Sequence, residues 1–478
     1  MSYDPNSADA PSKLHRALDL KDLVLLNIAC IVSMTSLAQV AQFGFGSIAL
    51  YVLAIFVFLI PSGLAVAELN ARMPEEGGFY LWTREAFGDL HGYLAAWMYW
   101  LSNIVWLPTV TVLAGISLLY VAGSDFLPLA DNPVYVGLVS LTLLWLVTLL
   151  NVAGMERAKW IQNIGGIGTW LCIGFLVVVG GIFVAQHGSV HEFSMGRLIP
   201  DLTDLGILPY FAITAFCFGG LELAPVMAGE VQNPARNIPR AIFLASISVG
   251  AIYIVGTLML IMAVPEGEVG IIEGIPQAFL QIARGLSVPI IGSVGGLLVA
   301  VATMGLFGSW MTGVARIPFV IGIDRYLPNA FGKVHPKWGS PYVSVLMQGA
   351  AITILVLASI AGSTVKEAFL VLLDMSIILY FIPFLYIFAA LVWHLKSKTG
   401  GKGVIRSFQS GMSTGWVVAV LGFGMTFLSI IMACIPSQDV ENTFLFELKV
   451  VGGAVLLSGI GLSMYYAKRN DAARDGGS

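Results

Sequence analysis

An all-α integral membrane protein with twelve spanning helices is what the sequence predicts, and three observations predict it. Of the 478 residues, 57% are hydrophobic and only 11% charged, against roughly 25% charged in soluble domains. Asp, Glu, Lys and Arg are absent from nine long blocks: 23–67, 92–124, 134–155, 160–191, 241–265, 285–315, 342–365, 407–438 and 450–467. The few basic residues that remain fall almost entirely on one side of the membrane.

A helix crosses the hydrocarbon with about 20 apolar residues. The first block is long enough for two crossings and carries a natural break at "FGFGS", residues 43–47. Nine blocks therefore supply ten spans. Two further spans come from 205–231 and 368–395, each with one acidic residue well inside it, Glu222 and Asp374.

Twelve spans with both termini cytoplasmic leave only Arg197, Arg284, Lys366 and Lys449 in outer loops, so 20 of the 24 basic residues lie inside. That is the asymmetry a cytoplasmic, inner-membrane topology demands, and an odd number of spans would scramble it. The N-terminal "MSYDPNSADAPSK" has no basic region followed by a short apolar core and cleavage site, so no removable signal is expected. "EEGGFYLWTREAFG", residues 75–88, reads as an interfacial amphipathic helix.

Composition also excludes functions. The phosphate-binding pattern GxxxxGK[ST] is absent, so the chain carries no nucleotide engine of its own. The six histidines sit at or beyond the membrane edges and HExxH is missing, which argues against an intramembrane metalloenzyme. All four cysteines, Cys30, Cys172, Cys217 and Cys434, fall within expected spans, which argues against a disulfide framework. The chain is read as a non-enzyme, without a cofactor or a nucleic-acid partner.

Two interruptions of the apolar pattern point to a site. In "AFCFGGLELAP", residues 215–225, a glycine pair, a glutamate and a proline break one span. Unwound backbone survives in hydrocarbon only where it is buried in protein or lines a cavity, and Pro225 suits the first turn of a second half-helix. Counted from an inner boundary near Glu230, Glu222 lies ~12 Å deep at ~1.5 Å per residue, close to the midplane where transporters place their sites. A carboxylate there is a functional candidate and a carrier of protons.

The first span has a matching polar stretch, "SMTSLAQ", residues 33–39. Thr35 precedes Phe218 by 183 residues, the spacing of two inverted five-helix repeats. The expected organisation is a tail (1–22), a first repeat of helices 1–5 (23–191), a second of helices 6–10 (192–398), helices 11–12 (399–467) and a tail (468–478).

With these residues in view, the chain resembles the amino acid-polyamine-organocation transporters. The resemblance rests on "GLAVAELNARMPEEGGFYLWTREAFG", "FCFGGLELAPVMAGEVQNPARNIPRA" and "GSWMTGVARIPFVIGIDRYLPNAFGKVHPKWGSP". It implies a leucine-transporter-type core of 5+5 inverted helices plus two, with substrate bound where helices 1 and 6 unwind.

Residue by residue, the resemblance implies that Gly219, Gly220 and the carbonyls before them, at Cys217 and Phe218, receive an α-amino group. Phe216 matches the aromatic gate of arginine/agmatine antiporters, and Glu222 their proton sensor. Ser33, Met34, Thr35 and Ser36 would meet the substrate carboxylate, and Asn103 and Trp310 would line the site. Phe216, Phe218 and Trp310 are expected to close over the substrate.

The residues around the first break are nearest the glutamate/GABA antiporters, but Thr35 replaces their basic residue. Thr169 stands where some proton-coupled members have a lysine. Proton coupling then falls to Glu222 or Asp374, and Asp374 is also a candidate to attract a cationic group. Arg316 reads as a snorkelling anchor at the inner rim.

The function expected is secondary active transport of amino acids or related amines, with a polyamine permease and a poorly transporting amino-acid sensor as the alternatives. The expected partners are the lipid bilayer and an amino acid or polyamine substrate, with protons or a counter-substrate as the coupling candidates. The sequence does not state an oligomeric state.

Overall fold

The computed structural model describes residues 14, 16–191, 195–198, 208–264, 270, 272–324, 326–360, 365–396, 412–435 and 443–475. The N-terminal tail through Lys13 and the basic run after Lys396 lie outside the described residues. Secondary structure is helical throughout, as apolar segments in hydrocarbon require, because a helix satisfies its own backbone.

The first expected span is two helices, α1 (Leu20–Ile31) and α2 (Met34–Ala41), bent by 45° at their junction. After the turn at Gln42–Phe45, α3 (Gly46–Ala54) runs through a π-helical segment into α4 (Ile60–Arg72). Next come α5 (Phe79–Phe87), α6 (Asp89–Ala122), α7 (Pro133–Val152) and α8 (Met155–His187). A second broken element follows, α9 (Leu208–Phe216) and the short α10 (Leu223–Val226).

The remaining helices are α11 (Pro234–Ala263), α12 (Gly274–Gly285), α13 (Ile290–Val314), α14 (Arg316–Ile323), α15 (Tyr342–Ile360), α16 (Val365–Lys396), α17 (Met412–Ala433) and α18 (Thr443–Asp475). Among the described residues nine helices are long and apolar enough to cross a membrane, or ten with α1 and α2 taken as one span. The α9–α10 pair and α15 occupy the two other expected spans. Both are too short in the described residues to count by length alone.

At the centre, α13 packs on both α8 and α6, and α1 packs on α8, α11 and α13. Glycine makes the first of these contacts possible. A Cβ on Gly165 of α8 would fall 2.1 Å from the Gly305 Cα of α13, so the two backbones touch directly, as small residues allow in membranes. The start of α1 is fixed by a capping box between Asp19 and Asp22. Asp22 also accepts from Asn163 at 2.7 Å and Lys159 at 3.1 Å, which ties that end to α8.

Candidate functional site

The bend in the first span follows from its sequence. Val32 and Ser33 take extended backbone, and Ser33 caps α2 by accepting from the Ser36 N–H at 3.2 Å. Two partners from other helices take up the polar groups freed by the break. Tyr253 of α11 donates its hydroxyl to the Ile31 carbonyl at 2.9 Å and accepts the Ser33 N–H at 3.0 Å. Trp310 of α13 donates its indole N–H to the Cys30 carbonyl at 2.7 Å. Tyr253 carried no signal in the sequence, since a tyrosine in a span reads as packing.

The second break lies against the first. Between α9 and α10 the chain turns at residues 217–222, and the two glycines are required for different reasons. A Cβ on Gly219 would lie 2.4 Å from the Tyr380 hydroxyl. Gly220 has φ of +128°, where other residues are strained, and a Cβ there would meet Ile31 at 2.8 Å.

Glu222 is fully buried beside these glycines. Its Oε1 accepts from the hydroxyls of Tyr99 (2.7 Å) and Tyr380 (2.6 Å), and its Oε2 from the Gly220 N–H (3.0 Å). Three donors satisfy a carboxylate, but among the described residues no cationic side chain bonds to it. A buried charge without a countercharge is costly, so this position suits a proton or a bound cation.

Aromatic rings cover the glutamate. Tyr99, Trp310, Tyr380, Phe216 and Trp106 form a continuous set, with centroids 5.6 Å apart for Tyr99–Tyr380, 5.2 Å for Phe216–Tyr380 and 5.7 Å for Trp106–Trp310. Beyond Trp106 lies a small cavity of about 10 Å³, lined by Ser33, Met34, Thr35 and Ser36 with Gln39, Thr109 and Thr303. The Gln39 Oε1 and Thr303 Oγ1 atoms are buried without a hydrogen-bond partner, and native structures seldom leave such groups unpaired. Trp106 lines this cavity and also belongs to the aromatic set around Glu222, so it lies between the two.

The end of the broken span, past Glu222, carries a buried ion pair. Arg316 pairs with Glu230 through two bonds, Nε at 2.8 Å and Nη2 at 2.9 Å, and both side chains are 1% exposed. The sequence reading of Arg316 as a snorkelling anchor is thus corrected. The end of the broken span brings a buried carboxylate to it, and the guanidinium turns inward.

Glu76 joins this layer by accepting the Gly229 N–H at 2.6 Å, while its Oε1 is shut away without a partner. Burial and the neighbouring Glu230 carboxylate push Glu76 up, to about 8, against the opposing pull of Arg316. Residue 18 adds a backbone latch: the Leu18 N–H donates to the Glu230 carbonyl, and the Leu18 carbonyl accepts from the Gln232 N–H. In α5, Tyr80 and Arg84 both bond Asp324 at the end of α14, so this amphipathic helix packs against the bundle.

The other expected site residues divide. Asn103 lies one turn above Tyr99 on α6 and spends its amide N–H on the Tyr99 carbonyl at 2.8 Å. Phe218 points away from Trp310, onto Tyr51 and Tyr253, and Cys217 lies among the hydroxyls of Tyr253, Ser36 and Tyr51. Phe218 thus supports the break instead of covering the site, because the turn at Gly219–Gly220 sends its ring to the α11 side.

Asp374 does not join the cavity. Leu373 lines it, but one residue is about 100° of helix, and Asp374 lies within electrostatic reach of Cys434 while Met375 packs on Gly453 of α18. Ser309 and Thr312 bond the carbonyls of Gly305 and Gly308 in their own helix, and Thr312 also reaches Asn151.

The model of the family "Amino acid permease" matches residues 18–456. "Uncharacterized transporter lpg1691" of Legionella pneumophila is 30% identical over 95% of this chain and 97% of its own length. "Probable agmatine/putrescine antiporter AguD" of Lactococcus lactis is 24% identical over 91% of this chain and 92% of its own.

The crystal structure of MhsT in complex with L-phenylalanine superposes with a TM-score of 0.65 at 16% identity, covering 88% of this chain and 99% of that one. That likeness establishes the leucine-transporter-type fold. Two broken helices in contact at a buried glutamate, inside a multi-pass helical bundle matched almost end to end by transporters, identify the chain as a member of the amino acid permease family.

Proposed function

We propose that the protein is a secondary active transporter that moves an amino acid or related amine by alternating access, exchanging it for a counter-substrate. The observation that carries this reading is the Tyr99–Glu222–Tyr380 knot at the contact of the two broken helices. Twelve spans, the 5+5 inverted repeats within 23–191 and 192–398, and an inner-membrane location with cytoplasmic termini belong to the same proposal.

The substrate class follows from the walls. Among the described residues no basic side chain lines the cavity or the aromatic set around Glu222, so an acidic side chain would find no countercharge there. A protonated amine would meet the faces of Trp106, Trp310 and Tyr380, which attract cations by ~0.5–2 kcal/mol each. Ser33, Met34, Thr35 and Ser36 at the start of α2 are the proposed partners of a substrate carboxylate, with Gly219, Gly220, Phe216, Cys217, Asn103 and Trp310 around the amine. A diamine with no carboxylate is the second reading, favoured by the same cation-accepting walls and by the likeness to the agmatine/putrescine antiporter of Lactococcus lactis.

Glu222 is the proposed coupling group. An arriving amine or proton supplies the countercharge it lacks and loosens its bonds to Tyr99 and Tyr380. The layer of Glu230, Arg316 and Glu76 must then part for release. Binding drives this only by the difference in affinity between the two conformations.

The test is uptake of labelled amino acids and polyamines into proteoliposomes, empty or preloaded, with and without a proton gradient. Uptake confined to preloaded vesicles supports exchange. Stoichiometric binding without flux makes the protein a sensor.

A further inference from the structure

We propose that the groove between α16 and α17 is a binding site for one anionic phospholipid. The groove has a volume of about 560 Å³, within the ~300–1,000 Å³ of ligand sites. It is lined by the small residues Ala389, Ala419 and Gly424 and by the rings of Phe388, Trp393 and Phe423. Lys396, the one charged residue among the described ones that line it, stands at the end of α16 with its ammonium 4.9 Å from the Trp416 ring centre.

The dimensions fit a lipid. Phe388 to Lys396 spans ~12 Å at ~1.5 Å per helical residue, close to the ~15 Å of one leaflet of a ~30 Å hydrocarbon core. A single acyl chain lying in the groove would therefore bring its phosphate to Lys396. Apart from Lys396 and the Trp393 indole, the described lining residues are apolar, which suits an acyl chain.

Charge selects the headgroup. Lys396 begins the run Lys396, Lys398, Lys402, Arg406, and no Asp or Glu occurs between Asp374 and Asp439. Arg72 donates to the His394 carbonyl at 2.9 Å, which sets this end of α16 beside the end of α4, on the face that the charge asymmetry of the sequence assigns to the inside. Basic groups at that face attract anionic lipid by ~1 kcal/mol each.

Gly424 allows a direct test, because a Cβ there would meet nothing within 4 Å. A phenylalanine at 424 should fill the groove without disturbing the helix contacts. The experiment is native mass spectrometry of the purified full-length protein titrated with dioleoyl phosphatidylglycerol or phosphatidylcholine. Photo-crosslinking of a diazirine-chain phosphatidylglycerol to the wild type would map the contact without any variant.

The expected result is one retained phosphatidylglycerol, crosslinked to peptides containing Val392–Trp393 or Phe423–Gly424. Lys396→Gln should weaken it about fivefold, the equivalent of ~1 kcal/mol at 1.4 kcal/mol per tenfold, and Gly424→Phe should remove it. Equal retention of phosphatidylcholine, or crosslinks elsewhere, would overturn the proposal. So would a Gly424→Phe variant that keeps its lipid or that changes oligomeric state instead.

Discussion

Gly219→Ala isolates the contact on which the site depends. The new Cβ would sit 2.4 Å from the Tyr380 hydroxyl and 2.6 and 2.7 Å from two of its ring carbons. Carbon needs about 3.5 Å, so the tyrosine must retreat by roughly 1 Å, and its 2.6 Å bond to Glu222 is lost. Overpacking costs ~1–3 kcal/mol, and a hydrogen bond to a charged group ~1.5–3 kcal/mol. The substitution should therefore destabilise the folded protein by about 2.5–6 kcal/mol.

The assay is a double-mutant cycle with Tyr380→Ala, followed by SDS-titration unfolding. With the ring gone, Gly219→Ala should cost under ~0.5 kcal/mol, since the two sites interact only through that contact. Equal cost in both backgrounds would show that Tyr380 is not what holds position 219 to glycine, and would refute the argument.

Other consequences follow from the same packing. Arg316→Leu leaves the Glu230 carboxylate buried and unpaired and should cost ~3–5 kcal/mol, whereas Arg316→Leu with Glu230→Leu should recover most of it; unfolding titrations of both distinguish the two. Tyr253→Phe strands the Ile31 carbonyl and Ser33 N–H, for a loss of ~1–3 kcal/mol and faster hydrogen exchange at Ser33. Glu76 binds its proton more tightly in the folded protein, about 8 against its usual 4.5. Stability should therefore fall as pH rises between those values, and Glu76→Gln should flatten that part of a melting-temperature profile.

The breaks were legible in the sequence because hydrocarbon forbids casual irregularity. Gly219, Gly220 and Glu222, and the polar run at Ser33–Gln39, announced themselves as exceptions, and the two halves do meet. The residues that complete the site were not legible. Tyr99, Trp106, Tyr253 and Tyr380 look like any aromatic in a span, and only a pairing across helices gives them a role. Asp374 shows the converse. Its charge marked the helix but not the face, and a single step of about 100° takes it off the cavity wall. Arg316 was misread for a related reason, since its partner Glu230 is 86 residues away and invisible to local pattern.

The central claim is that Glu222 couples substrate to movement. Its most direct test is exchange of a labelled basic amino acid or diamine by Glu222→Gln proteoliposomes, compared with wild type across pH 5–8. The account predicts that wild-type exchange varies with pH and that the glutamine variant, still monodisperse, loses both the exchange and the variation. Unchanged, pH-dependent exchange in the variant would contradict it.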